Sequence, residues 1–412
     1  MQTLEQLRSG QLKGITRLAL SEELTEFPME ILELSDTLEI LDLSNNQLNE
    51  LPDELAQLTH LRILFASCNQ FTHLPEVLGQ LPILEMVGFK SNKIKYVSEG
   101  SLPQKLRWLI LTDNEIEILP NSLGERPRMQ KLALAGNQIQ ELPSSMSALH
   151  NLELLRLSAN QLHTFPELLL SLPKLAWLAF SGNPFCKHEV DDASIPKVPS
   201  NSYSLNHVLG QGASGVISHA TWENKQFPFP EEVAVKVFKG EVTSDGYPQD
   251  ELEACLQAGH HPSLIKSIAQ VNEDNYLALV MELIPDNYFN LGLPPSLASC
   301  TRDTFKDGFT LTIEQIDLIV QQMIDVFEHL HANKVCHGDL YAHNVLVNKQ
   351  NDMIFGDFGA ASIYGYLEQA QQEKIKQIEA RALKYFIDDL LSICSIEDIK
   401  SAKYATLKKL TH

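Results

Sequence analysis

An asparagine recurs through the first half of the chain at Asn46, Asn69, Asn92, Asn114, Asn137, Asn160 and Asn183, in steps of 23, 23, 22, 23, 23 and 23 residues. Each closes a pattern of the form L-x-x-L-x-L-x-x-N, or a close variant of it. Examples are Leu38, Leu41, Leu43 and Asn46, and again Leu152, Leu155, Leu157 and Asn160. An apolar-proline step follows at Leu51-Pro52, Leu74-Pro75, Leu119-Pro120, Leu142-Pro143 and Phe165-Pro166. A period this regular restricts the segment to a stack of short, similar units. One unit has a single short strand with leucines on one side and cannot bury them alone, whereas neighbours on either side supply a continuous core. The asparagine side chain can bond backbone groups where the chain leaves the strand, and stacked units can share that ladder.

A copy starting at Ile15 lacks the asparagine and ends in Phe27-Pro28, as an N-terminal capping unit would; a last, incomplete copy starts at Leu175. Over about residues 10–190 the chain resembles the leucine-rich repeat family. The leucines and asparagines are therefore structural, and any binding function falls to the exposed strand face. One column of that face reads Ile40, Ile63, Met86, Trp108, Lys131, Leu154 and Trp177; the next includes Phe65, Ile110 and Arg156. Apolar groups standing out from the concave sheet predict a surface for a protein substrate or regulator, with Ile40, Ile63, Phe65, Met86, Trp108, Leu154 and Trp177 as its contacts. Packing against a second domain of the same chain is the alternative.

Charge narrows the partners. Of 412 residues, 32 are Lys or Arg and 53 are Asp or Glu, a net charge of −21. Residues 1–195 hold 15 basic and 25 acidic groups, leaving 17 and 28 for the remainder. Acidity spread over both halves repels phosphate backbones and anionic lipid, which excludes nucleic-acid and membrane-surface binding as first expectations. Apolar runs such as 277–281 are too short to span a bilayer, and the N-terminus does not read as a secretion signal. The six scattered cysteines form no CxxC pair and read as reduced thiols of a cytoplasmic protein.

The repeats stop near Cys186, and a proline-bearing stretch without periodicity gives expected divisions of 1–190 for the array, 191–202 for a linker and 203–412 for a second domain. That domain opens with Gly210-Gln211-Gly212-Ala213-Ser214-Gly215 between two apolar runs. The second run leads to another strand pattern, Glu232-Val-Ala-Val-Lys236-Val-Phe238, where a dinucleotide fold would place a helix. A lysine in a buried strand costs several kcal/mol unless paired. Glu251 is the favoured carboxylate, with Glu253 as its rival. Residues 312–333 show helical spacing, at Ile316, Ile319, Val320, Met323, Ile324, Phe327 and Leu330. Then follow His337-Gly338-Asp339-Leu340-Tyr341-Ala342-His343-Asn344 and Asp357-Phe358-Gly359.

In this order the motifs resemble the protein-kinase superfamily from about Tyr203 to Asp389. The resemblance implies an α/β leucine-rich-repeat solenoid followed by an α+β bilobal protein-kinase-like domain with a shortened C-lobe. It implies ATP and Mg²⁺ as cofactors. Gly210, Gly212 and Gly215 would approach the phosphates, and Ile217 and Ala234 would sandwich the adenine. Met281, Glu282 and Leu283 would lie beside it at the join between lobes. Lys236, fixed by Glu251, would hold the α- and β-phosphates. Asp339 would accept the substrate's hydroxyl proton, while Asn344 and Asp357 would hold the metal. His337 would pack beneath Phe358, and Asp389, on a later helix, would anchor the catalytic loop.

Three departures from the superfamily pattern stand out. Gly338 replaces the arginine that commonly receives a phosphorylated activation loop. Tyr341 replaces a lysine that helps neutralise the transferring phosphoryl group. No A-P-E follows Asp357-Phe358-Gly359; residues 366–382 read as a polar helix, and only 23 residues follow Asp389. The first expectation is an ATP-dependent protein kinase, Ser/Thr-specific, with the repeats recruiting protein. A pseudokinase scaffold acting through the repeats and a small-molecule kinase are the alternatives.

Overall fold

The computed structural model describes residues 2–187, 195–212, 214–240, 242–243 and 245–411. Residues 191–194 of the expected linker and Ala213 of the glycine turn lie outside the described residues. The chain divides into two compact units, Met1–Leu175 with Asn183–Phe185, and Ala176–Gly182 with Cys186–His412.

The first unit opens with helix α1 (Leu4–Arg8), capped by Thr3, whose hydroxyl accepts from the Gln6 N–H. Seven three-residue strands follow: β1 (Arg17–Ala19), β2 (Ile40–Asp42), β3 (Ile63–Phe65), β4 (Met86–Gly88), β5 (Trp108–Ile110), β6 (Lys131–Ala133) and β7 (Leu154–Arg156). Each pairs in parallel with the next in strict register, as in Ile40 to Ile63 to Met86 to Trp108. A 3₁₀ turn follows most of the proline steps, for example at Asp53–Gln57 and Ser144–Ala148, because an extended proline starts the turn without needing an N–H. The asparagines form the expected ladder. The Asn69 Oδ1 accepts from the Leu48 N–H of the preceding copy at 2.9 Å, while its Nδ2 donates to the Leu43 and Ala66 carbonyls at 2.9 and 3.1 Å. Asn92, Asn114, Asn137 and Asn160 repeat the arrangement one copy further on each time.

The outer face of this sheet is drier than its sequence predicts. Ile63, Met86 and Leu154 are buried, not standing out as contacts, and Ile40, Phe65 and Trp108 are half-buried. Strands about 4.8 Å apart bring column neighbours into contact. The Phe65 ring lies so close over Gly88 that a Cβ there would be 2.7 Å from it, and the Lys131 ammonium sits 4.3 Å over the Trp108 ring. Trp177 departs furthest, since it belongs to the second unit.

In the second unit, strand β8 (Trp177–Ala179) precedes an antiparallel sheet of β9 (Tyr203–Gln211), β10 (Gly215–Trp222), β11 (Glu232–Phe238), β12 (Ser267–Glu273) and β13 (Tyr276–Glu282), in the order β12-β13-β11-β10-β9. Alternating valines of β11 and Val271 and Val280 of its neighbours build the core on one side of this sheet. Helix α2 (Pro248–Ala258) packs on the other side, Leu252 and Leu256 against Ala234, Leu279 and Met281. Proline at its first turn and Gly259, with φ of 69°, set its ends.

The remaining elements carry the His337–Asn344 and Asp357–Gly359 segments. Strands β14 (Phe289–Asn290), β16 (Val345–Val347) and β17 (Met353–Phe355) form a small sheet, and β15 (Val335–Cys336) pairs with β18 (Ser362–Ile363). Helix α3 (Ile313–Ala332) begins at a reciprocal Thr312–Gln315 cap. Helix α4 (Gln369–Ser392) is continuous, so the polar stretch and the later Phe386–Asp389 stretch are one element. Helix α5 (Ala402–Lys409) follows.

Candidate nucleotide and phosphoryl-transfer site

The site is built on backbone positions that the sequence forces. Strands β9 and β10 are joined by the glycine turn, closed by Gly212 N–H donating to the Gly215 carbonyl at 3.0 Å. Gly215 is required by the fold itself, because a Cβ there would sit 2.5 Å from the Val237 carbonyl oxygen. Gly210 and Gly212 face open space, with nothing within 4 Å of the point a Cβ would occupy. They leave room for a group that approaches backbone, as phosphates do.

A cavity of about 300 Å³ lies beneath, lined by Gly212, Gly215, Lys236, Glu251, Asn344 and Asp357 among others. A second, of about 660 Å³, is lined by Gly210, Ala234, Glu282 and Leu283, and shares Ile217 and Met281 with the first. Every residue assigned to ATP from the sequence lines one or both. The apolar pair Ile217 and Ala234 sits on adjacent strands, with Ala234 paired to Met281 across the sheet.

Lys236 and Glu251 form a buried ion pair, which selects Glu251 over Glu253; the latter is bonded to Gln249 along the helix. Burial works against the Lys236 ammonium, but the carboxylates of Glu251 and Asp357 outweigh it and raise its pKa above the usual lysine value. Lys236 is thus held charged in a dry site. Cys255, one helical turn from Glu251, has its thiol pushed up by burial and the Glu251 charge, which keeps it unreactive.

The loop after β15 carries Asp339, the candidate proton acceptor. Asn344 Nδ2 donates to the Asp339 backbone carbonyl at 3.0 Å and to its Oδ2 at 2.9 Å, bracing the carboxylate against the loop. Asp357 has φ of 60°, a left-handed backbone that turns its side chain toward the Gly359 N–H at 3.4 Å and into the first cavity. His337 is fully buried; its Nε2 lies 3.0 Å from the Gly356 carbonyl, and its ring packs on Phe355 and Phe358. Asn344 and Asp357 present hard oxygen donors on one cavity wall. This set suits Mg²⁺, which takes one or two protein oxygens and completes its shell from phosphate and water. Among the described residues no group of three His, Cys, Asp or Glu side chains forms a further metal site.

The anchoring of the loop corrects the sequence reading. The Asp389 carboxylate bonds Arg302 and the Asp303 N–H rather than the backbone of the loop. It takes Arg302 in a two-pronged ion pair, with contacts of 2.9, 3.1 and 2.5 Å, and accepts the Asp303 N–H at 3.1 Å. Glu379, ten residues earlier on α4, holds the loop instead. Its Oε1 accepts from the His337 and Gly338 N–H groups at 2.7 and 3.1 Å, while Oε2 meets His331 at 2.8 Å. At the other end of the loop Asp303 Oδ1 accepts the Ala342 N–H at 2.8 Å. Burial raises the Asp303 carboxyl to about 8, with Asp389 adding to the shift against the opposing Ala342 bond. Glu379 lies unmarked in a Gln/Glu/Lys-rich stretch; a helix starting soon after Asp357-Phe358-Gly359 is the available signal.

A protein kinase domain model matches residues 203–378, and a leucine rich repeat model matches residues 36–94 and 127–185. The chain is a leucine-rich-repeat array joined to a protein kinase domain. Over 173 residues it is 27% identical to serine/threonine-protein kinase 1 of Arabidopsis thaliana, spanning 42% of this chain and 19% of that protein. Over 167 residues it is 28% identical to serine/threonine-protein kinase dst4 of Dictyostelium discoideum, spanning 40% and 31%. A solved leucine-rich repeat protein of Leptospira interrogans shows 30% identity and a TM-score of 0.36 over 42% of this chain and 50% of that one. The chain spans less than a third of the length of these two curated relatives, 19% and 31%. Among the described residues no helix is long and apolar enough to cross a membrane.

Proposed function

We propose that this chain is an ATP- and Mg²⁺-dependent protein kinase acting on serine or threonine, with its repeats engaging a protein substrate or regulator. The observation that carries the reading is one cavity wall on which the charged Lys236–Glu251 pair, the oxygens of Asn344 and Asp357, and the open glycine turn converge. Mg²⁺ would offset charge on the phosphates from Asn344 and Asp357. Lys236 binds the α- and β-phosphate oxygens, Gly210, Gly212 and Gly215 bring backbone N–H groups near, and Ile217, Ala234, Met281, Glu282 and Leu283 enclose the base. The Asp339 carboxylate takes the proton of the substrate hydroxyl as its oxygen bonds the γ-phosphorus and ADP departs. Serine or threonine is favoured by the named relatives. The scattered cysteines, with no CxxC pair, favour a cytoplasmic location. Of the contacts expected on the array, Ile40, Phe65 and Trp108 remain half-buried and are left for a partner.

The test is transfer of labelled γ-phosphate from ATP–Mg²⁺ to the chain itself and to a generic basic protein, beside Lys236→Met. Label on serine or threonine that vanishes in the variant supports the reading. Label on tyrosine corrects the specificity, and ATP binding with no transfer to any protein overturns it.

A further inference from the structure

Residues 177–182 belong by sequence to the last repeat copy, yet they lie within the kinase unit. There they touch three catalytic segments at once. The Trp177 indole Nε1 donates to the Leu340 carbonyl at 3.0 Å, one residue beyond Asp339. Its ring stacks on Tyr341 with centroids 5.0 Å apart and planes 6° apart, and on Tyr385 of α4 at 5.3 Å and 14°. Trp177 is 1% exposed.

The next residues continue the contact. A Cβ on Gly338 would lie 2.7 Å from the Leu178 carbonyl oxygen and 2.8 Å from that of Ala360, so only glycine fits where an arginine is common. The Phe180 and Ser181 N–H groups both donate to Ser362 Oγ, at 3.0 and 3.2 Å, on the strand that follows Asp357-Phe358-Gly359. Gly182 lies against Asp250 and Tyr247, where a Cβ would meet the Asp250 carboxylate at 2.5 Å. Asp250 precedes Glu251 on α2. One short strand therefore bears on the catalytic loop, on the stretch beyond Asp357 and on the helix carrying the partner of Lys236.

We propose that the 177–182 strand is a built-in positioning element of the kinase unit, with Trp177 as a positioning residue for the loop that carries Asp339. It takes the place that the Gly338 and Tyr341 departures leave open. An arginine at 338 would tie the loop to a phosphorylated segment; here a buried indole and two backbone N–H groups do so permanently, without a modification. Tyr341 is a stacking partner of Trp177, which accounts for an aromatic ring at that position. The inference rests on the kinase reading only for its catalytic consequence; the restraint on the loop is a property of the fold.

The experiment uses the full chain with Trp177→Phe and Trp177→Ala, read by amide hydrogen exchange over residues 338–344 and by steady-state phosphoryl transfer. Phe keeps the stack and loses the donated bond; Ala loses both. Loop exchange is expected to rise stepwise from wild type to Phe to Ala while strand β11 keeps its protection. The turnover number should fall by about 100-fold for Ala and about tenfold for Phe, with KM for ATP unchanged, because misplacement of a reacting group by about 1 Å costs that much. Rescue of rate by Phe relative to Ala separates positioning from simple loss of stability. If Ala leaves the chain unfolded, Phe alone decides, and loop protection equal to wild type in Phe overturns the proposal. Equal turnover despite a loosened loop also overturns it. If wild type transfers no phosphate but the loop loosens stepwise, the positioning stands and the kinase activity reading falls.

Discussion

The repeat array and the kinase unit keep buried polar groups satisfied in opposite ways. In the array each asparagine reaches no further than its own and the adjacent copy, about one repeat away in sequence, and the same three-bond arrangement recurs from Asn69 to Asn160. In the kinase unit the critical bonds span long separations and none is repeated. Glu379 reaches back to His337, Asp389 to Arg302 and Trp177 to Leu340. A quasi-one-dimensional stack spreads the loss of one bond over similar neighbours. A site assembled from single long-range bonds has no spare copy. Damage to the array should therefore appear as graded instability, and damage to the kinase unit as loss of chemistry.

The largest expected effect is at Asp339. Asp339→Asn should lower transfer by about 10³-fold or more, since a positioned base contributes about 10²–10⁴, while ATP affinity stays near wild type. Filter-binding beside a transfer assay checks both, and equal turnover in the variant would remove Asp339 from its role. Asn114→Ala, in the middle of the array, strands the Ile94 N–H and removes one of the two side-chain donors to the Phe89 and Leu111 carbonyls, which keep Asn92 and Asn137. It should destabilise by about 1–3 kcal/mol in urea unfolding, with transfer per folded molecule unchanged; Asn46→Ala, near the end, should cost less. Equal costs at both places would argue against nearest-neighbour stacking.

Glu379→Ala leaves two buried N–H groups without their acceptor and should cost about 2–3 kcal/mol together with most of the transfer rate. Glu379→Gln keeps an acceptor and should recover much of both. If Asp389→Ala lowered the rate more than Glu379→Ala, the anchor assigned here would be the wrong one.

Asp303 offers a pH test. Its folded pKa, about 8, lies above the ordinary value of 3.8, so the folded state retains a proton that the unfolded chain releases. Stability from this group is present below about pH 4 and is lost as pH rises through about 8, with a slope of at most about 1.4 kcal/mol per pH unit. Asp303→Asn should flatten melting temperature against pH across that window. An unchanged slope would assign the proton elsewhere. The smallest effect belongs to Lys131→Gln, which removes a cation from the Trp108 ring and should cost about 0.5–1 kcal/mol of array stability. Slower transfer in that variant would break the separation between the two regions.

Much of this is legible in the sequence, for a physical reason that differs by region. The array can be read because its bonds are local: a 23-residue period dictates both the strand and the asparagine that ends it. The residues that line the cavity can be read because each sits in a short motif whose backbone geometry is set by its neighbours, as with Gly215 beside β11 and Asp357 in its left-handed turn. Glu379 escapes such a reading, since a carboxylate on a polar helix looks alike whether it meets water or two buried N–H groups. Ile63, Met86, Leu154 and Trp177 mislead because strand alternation separates two faces without saying whether the outer one is dry.

The sequence by itself determined the periodic stack, the succession of motifs along the second unit and the types of group gathered around the cavity beneath the glycine turn, all of which follow from interactions within a few residues or one repeat. Only the tertiary structure decided which carboxylate pairs Lys236, which one holds the His337–Gly338 backbone, and that a strand written as the last repeat lies against the catalytic loop. Those outcomes turn on packing between segments up to 182 residues apart, from Phe180 to Ser362. Chain connectivity leaves such distances open, and burial closes them.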